Sequence, residues 1–185
     1  MTNDQLLTFV PDLVRWEGAV AHMYRDTLGY CTVGIGNLIH DVDEAMSIPF
    51  RFAAREATRP EISSDFHRVM AMPKGLKASA YRTTTGPRIE LTDTSIYQLA
   101  ADRLAREFLP GLAIMYPGFG DFPLGPQRAL VDLAFNVGVH GLAQFSHLRD
   151  AVNRRDWRAA GESCHVKGAR EERHLWRVER FEEAA

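Results

Sequence analysis

The strongest constraint on the fold of this chain is a change of hydrophobic period between residues 16 and 40. Before it, Leu6, Leu7, Val10, Leu13 and Val14 recur at helical spacing, Pro11 predicts a kink or a restart, and Gly18 directly after Glu17 marks a helix stop. After it, the run HMYRDTLGYCTVGIGNLI sets aromatic and β-branched residues around Asp26-Thr27-Leu28-Gly29, which predicts two short strands joined by a turn. This is the only clear hairpin signal. From Leu91 the helical period returns, with Thr92 or Asp93 as a cap and Ile96, Leu99, Ala100, Leu104 and Phe108 on one stripe before Pro110. Three further helical stretches are expected over 127–137, 142–153 and 157–165, and an amphipathic closing helix over 170–183 carries Leu175, Val178 and Phe181. One hairpin signal among many helical stretches predicts a mostly helical chain of α+β class, in which the helix after Leu91 could join two lobes. The expected layout is a single domain over 1–185, with residues 18–90 as the hairpin lobe and its insert, 91–109 as a connecting helix, and 110–185 as the helical lobe. Residues 41–90 are the least legible stretch, expected to hold one or two short helices and an exposed loop at Tyr81–Pro87.

Composition enters mainly by exclusion. With 185 residues, 45% of them hydrophobic and 25% charged, the chain is long enough for a real core and unlike a disordered or low-complexity segment. Lys and Arg total 22 against 24 Asp and Glu, a formal charge of -2. That balance argues against a nucleic-acid binder driven by counterion release. The start MTNDQLLTFVPDLVRWEG lacks a basic leader, an apolar run and a cleavage site, so synthesis in the cytoplasm without a signal peptide is expected, and no membrane insertion. Cys31 and Cys164 lack metal-ligand spacing and are expected as free thiols rather than a bridge. His40 lies in the acidic run HDVDE without a second ligand set, so neither a metal nor a cofactor is expected.

The chemistry-bearing block runs Arg15-Trp-Glu17-Gly, Tyr24-Arg-Asp26-Thr27 and Gly29-Tyr-Cys-Thr32-Val-Gly34-Ile-Gly36. Hydrolysing a glycosidic bond needs one protonated carboxyl and one ionised carboxylate flanking the scissile bond. Glu17 ends a helix, where peptide dipoles present negative charge, and adjoins the bulky Trp16; both effects oppose ionisation and suit a general acid. Asp26, in a polar turn, is expected to stay ionised. Strand alternation puts Thr32 on one face with Gly34 and Gly36, leaving room for a sugar or a water that Thr32 could hold. A helix-ending Glu-Gly and an Asp-Thr-x-Gly turn are also common structural devices, so this spacing alone does not establish catalysis.

Taken together with the second half of the chain, these residues resemble the phage-type lysozymes of glycoside hydrolase family 24, the T-even phage lysozyme-like endolysins. Members carry Glu, eight residues, Asp, five residues, Thr and then Gly-x-Gly, matched by Glu17, Asp26, Thr32, Gly34 and Gly36. Arg128 to Gly138, Gly141 to Phe145 and Arg155 to Ala160 resemble the family's helical half in order and spacing. The resemblance implies a two-lobed lysozyme-like fold with peptidoglycan in the cleft between the lobes, and cleavage of the β-1,4 bond from N-acetylmuramic acid to N-acetylglucosamine. It implies Glu17 as general acid, Asp26 as the second carboxylate and Thr32 as the holder of the water. It further implies Leu38 and Phe135 as sugar contacts, and Arg173, with Arg177 as a competitor, as the arginine that orients the catalytic glutamate. Three departures stand out. Asn37 replaces a usual histidine, Leu148 and Ser163 replace polar sugar-binding groups, and residues 41–90 have no counterpart; that insert could serve as a lid, a specificity loop or a docking surface.

The resulting expectation is a monomeric muramidase whose partner is the peptidoglycan glycan strand. It would act on the cell wall in the periplasm, as an endolysin released through a holin or as a lysozyme-type toxin delivered by a secretion system and met by an immunity or inhibitor protein. The alternatives are a lytic transglycosylase giving 1,6-anhydro products and a non-catalytic peptidoglycan-binding module of the same fold.

Overall fold

The computed structural model describes residues 1–83 and 88–185. It comprises two compact units, one formed by Val10–Ala100 and the other by Met1–Phe9 with Ala101–Ala185. Helix α1 (Asn3–Glu17) continues through Pro11 without a break. The apolar stripe Leu6, Phe9, Val10 and Leu13 is fully buried and offsets the bond that the proline removes. Gly18 ends the helix in the left-handed conformation, φ 75°, and its N–H donates to the Val14 carbonyl at 2.9 Å.

In the unit of Val10–Ala100, the expected two-stranded hairpin is a three-stranded antiparallel sheet, β1 (Val20–Arg25), β2 (Cys31–Gly34) and β3 (Asn37–Ile39), in the order β1-β2-β3. The extra strand follows from the Gly-x-Gly segment. Gly34 (φ 64°) and Gly36 (φ 67°) take the left-handed backbone that reverses β2 into β3, so these glycines serve the turn. A second small sheet, β4 (Arg51–Phe52), β5 (Arg55–Glu56) and β6 (Ile89–Glu90), was not foreseen. Strands of two residues leave no alternation to detect.

The described part of the segment 41–90 packs against the first sheet through its helices and its last strand. It holds α2 (Val42–Ser47), capped by Asp41, and α3 (Arg59–Ala71), started by a reciprocal capping box of Thr58 and Glu61. Helix α3 lies against β1 and β2, and the 3-10 turn Ala78–Tyr81 lies against β1. Arg25 fastens this packing: its Nη1 donates to the Met70 and Met72 carbonyls at 3.1 and 2.6 Å, and its Nε donates to the Gly29 carbonyl at 3.2 Å. It thus satisfies orphan carbonyls at the end of α3 while bracing the β1–β2 turn. His22 Nε2 donates to the Ala78 carbonyl at 2.7 Å. Of the loop expected at Tyr81–Pro87, residues 84–87 lie outside the described residues, and Tyr81 is not exposed but fully buried, its hydroxyl donating to the Pro73 carbonyl at 2.6 Å.

The helix that begins at Asp93 does not stop before Pro110. Helix α4 (Asp93–Arg103) runs into a π turn, Leu104–Phe108, and on into α5 (Leu109–Met115). Proline is tolerated there because it stands in the first turn of α5. Helix α6 (Leu124–Leu142) bends at Gly138, φ 74° and ψ 155°. Helices α7 (Ser146–Asn153), α8 (Trp157–Glu162) and α9 (Glu171–Glu182) complete the unit, with α9 packed on α6 and α8. Trp157 lies between Phe122 and Phe181, with ring centroids 5.3 and 6.5 Å away.

Candidate active site

Glu17, Asp26, Thr32 and Leu38 all belong to the unit of Val10–Ala100. Glu17 is the last residue of α1 and its side chain is exposed, while Trp16 beside it is buried under the Arg15 guanidinium, 4.4 Å from the ring centroid. Its place at the carboxyl end of the helix agrees with the sequence pattern. Solvent exclusion at Glu17 is not supplied by burial.

Asp26 organises the turn after β1. Its Oδ1 accepts the N–H groups of Gly29 at 2.7 Å and Tyr30 at 2.8 Å, and its own N–H donates to the Tyr30 carbonyl at 3.0 Å. The structural reading of the Asp-Thr-x-Gly turn therefore holds, with Asp26 closing it. One carboxylate oxygen is spent on the turn, and among the described residues Oδ2 takes no hydrogen bond.

Thr32 sits in the middle strand, opposite Tyr24 of β1 on one side and Leu38 of β3 on the other. Residues directly opposite across an antiparallel pair project to the same face, so Tyr24, Thr32 and Leu38 form one row across the sheet. Thr32 is buried at 2% exposure, and its hydroxyl makes one long hydrogen bond, 3.4 Å, to the Tyr30 carbonyl. Leu38 stays open at 37%. Cys31, pointing to the opposite face, is buried, and burial followed by the nearby Asp65 carboxylate of α3 pushes its thiol up to about 12. Cys31 and Cys164 are both free thiols.

Phe135 and Arg173 belong to the other unit. Phe135 is partly exposed on α6, stacked on Phe108 at 5.6 Å, with the Arg103 guanidinium 5.4 Å from its ring. Arg173 is buried and clasps the fully buried Asp132: Nε lies 3.1 Å from both carboxylate oxygens and Nη2 2.9 Å from Oδ1. Arg177, also fully buried, donates from Nε to Asp132 Oδ2 at 2.5 Å and from Nη2 to Asn136 Oδ1 at 3.1 Å. The two arginines weighed as competitors are thus partners on one carboxylate. Asp132 was missed, although an acid inside the apolar run Ala-Leu-Val-Asp-Leu-Ala is the signal that a buried charge needs cationic partners.

Leu148 and Ser163, the two departures in the helical half, line one cavity of about 440 Å3 with Phe145, His147 and Glu162. Among the described residues no group of three or more His, Cys, Asp or Glu is arranged to hold a metal ion, and no helix is long and apolar enough to cross a membrane.

The chain belongs to the phage lysozyme family, whose family model matches residues 14–173. Its mostly helical α+β fold is that of the family, and its function is of the lysozyme type, peptidoglycan hydrolysis. A search of curated proteins finds no match.

Proposed function

We propose that this protein is a muramidase that hydrolyses the β-1,4 bond between N-acetylmuramic acid and N-acetylglucosamine, without a cofactor and as a monomer. The observation that carries this reading is the family match over residues 14–173, which spans Glu17, Asp26 and Thr32 at the family's spacing. Glu17 gives its proton to the leaving glycosidic oxygen as that bond breaks. A water held by Thr32 forms the new bond to the sugar's anomeric carbon and passes a proton to Asp26, whose Oδ2 is spare while Oδ1 is fixed by the turn. Leu38 contacts the sugar from the exposed end of the Tyr24–Thr32–Leu38 row. Phe135 is a second sugar contact, and Arg173, held by Asp132, orients the catalytic glutamate. The enzyme reaches the cell wall as an endolysin released through a holin or as a secreted lysozyme-type toxin. An immunity protein copurifying with the enzyme marks the toxin role.

The test is Glu17→Gln on purified cell walls. Lysis and release of reducing ends should fall by at least about 1000-fold with an unchanged circular dichroism spectrum, the size of loss that follows removal of an acid catalyst. A folded Glu17→Gln variant that clears walls at the wild-type rate sinks the assignment. Mass spectrometry of the released muropeptides separates hydrolysis from transglycosylation, since only the latter leaves 1,6-anhydro ends.

A further inference from the structure

One polar side chain of the site's own sheet face has no part in the reading above. Tyr24 stands directly opposite Thr32 across the β1–β2 ladder, and Asp26 follows it by two residues on the same strand path, where the Asp26 N–H still bonds the Tyr30 carbonyl. Cross-strand register sets Tyr24 beside Thr32, and Asp26, the residue that follows the end of β1, lies near enough for its carboxylate to act on the phenol. Tyr24 is therefore the neighbour common to the two groups assigned to the water. Its ring is half-buried, yet among the described residues its hydroxyl takes no hydrogen bond. Thr32 has only the 3.4 Å bond to the Tyr30 carbonyl, and Asp26 Oδ2 takes none among the described residues. Three oxygen groups with unused hydrogen-bonding capacity thus belong to one strand pair and its turn. A localised water needs two to four polar partners, and a phenol, which both donates and accepts, supplies what a carboxylate and a threonine leave open.

We propose that Tyr24 is a further catalytic residue of this enzyme, its phenol hydroxyl completing, with Thr32 Oγ1 and Asp26 Oδ2, the hydrogen-bonding shell of the nucleophilic water. This inference rests on the muramidase reading of Asp26 and Thr32. The environment keeps the phenol in the form the role requires: burial, then the Asp26 carboxylate, then Cys31 push its pKa above the ordinary 10.0. Tyr24 thus stays neutral around neutral pH, where it donates a hydrogen bond and does not take the proton of the water.

Tyr24→Phe removes one oxygen and keeps the ring. The expected result is a fall in kcat of about tenfold or more, in the range for loss of a single positioned hydrogen bond at a reacting centre. KM on soluble peptidoglycan fragments should stay within twofold, and Tm should be unchanged. In a Glu17→Gln background, where the glycan binds without turnover, adding Tyr24→Phe should leave the calorimetric affinity for a chitooligosaccharide unchanged, as expected of a group that holds water rather than sugar. A kcat within twofold of wild type overturns the inference. So does a rise in KM at constant kcat, which makes Tyr24 a sugar contact, or a drop in Tm matching the rate loss, which makes it a packing residue. Asp26→Asn, measured in parallel, separates the two levels. Full activity in Asp26→Asn overturns the site reading and this inference with it, whereas loss in Asp26→Asn without loss in Tyr24→Phe overturns this inference alone.

Discussion

Asp132 illustrates how one side chain can hold a region together. A carboxylate with no exposure is compensated by two guanidiniums, Arg173 and Arg177, and Arg177 in turn reaches Asn136 next to Phe135 on α6. Deleting one partner of a buried ionic cluster leaves its counterpart charged and unpaired, which costs more than the pair itself contributes. Asp132→Asn should therefore lower the unfolding free energy by about 3–5 kcal/mol, read from urea denaturation. A change below about 1 kcal/mol would mean that the arginines find other acceptors. The residue proposed as the second carboxylate is also a turn residue, since two turn amides fix Asp26 Oδ1. Any substitution there perturbs the hairpin as well as the proposed chemistry, so Asp26→Asn, which keeps an acceptor oxygen, is the informative variant and Asp26→Ala is not.

Among the elements, α3 depends most visibly on a titrating group. Its start is held by Thr58 and Glu61, and Glu61 also takes Arg55 Nη1 at 2.9 Å and Nη2 at 2.5 Å. The Arg55 guanidinium first, and the Thr58 backbone N–H second, hold the Glu61 carboxyl down at about 2 against an ordinary 4.5. A carboxyl depressed on folding contributes stability that is present above its unfolded value and lost as pH falls toward its folded value. The first turn of α3 should accordingly loosen between pH 4.5 and about 2, and Glu61→Gln should remove that part of the acid transition. Amide exchange at Ile62 and its neighbours measures it. Because α3 packs on β1 and β2 and Arg25 ties its last carbonyls to the Gly29 turn, the insert is part of what holds the Asp26 turn in place.

For the whole molecule, several buried acids of high pKa set an alkaline limit. Burial raises Cys31 to about 12 and Cys164 to about 11 from 9.0, and Tyr116 to about 12 from 10.0. A group raised on folding contributes stability that is complete below its unfolded value and lost as pH climbs toward its folded value. Stability should hold up to about pH 9 and decline from there toward 12, and a Cys31→Ala/Cys164→Ala variant should show a shallower decline by thermal melts across that window. The formal charge of -2 bears on substrate binding at this scale too. A near-neutral enzyme on an anionic wall has little long-range attraction to lose. Activity should therefore change by less than about threefold between 50 and 300 mM salt, because screening acts on exposed charges separated by more than about 10 Å.

The local devices were legible along the chain because each is encoded by neighbours in sequence. The stop of α1 at Gly18, the Asp26 turn, the caps near Thr92 and the closing helix rest on residues within a few positions of one another. The Gly-x-Gly segment showed small residues but not a third strand, since a reversal within three residues is a matter of φ rather than of period. Pro110 was misleading for a related reason, because a proline breaks a helix interior but fits a first turn, and only the π turn before it decides which of the two applies. What the sequence by itself determined is therefore a set of local devices: the stop of α1, the turn at Asp26, the start of the helix at Asp93 and the closing helix. The partnership of Asp132 with Arg173 and Arg177, the packing of residues 59–81 on β1, the common cavity of Leu148 and Ser163, and the placing of Tyr24 beside Thr32 were decided by tertiary structure alone. In every one of these cases the groups that meet are brought together by packing or by strand register, which local sequence patterns do not record.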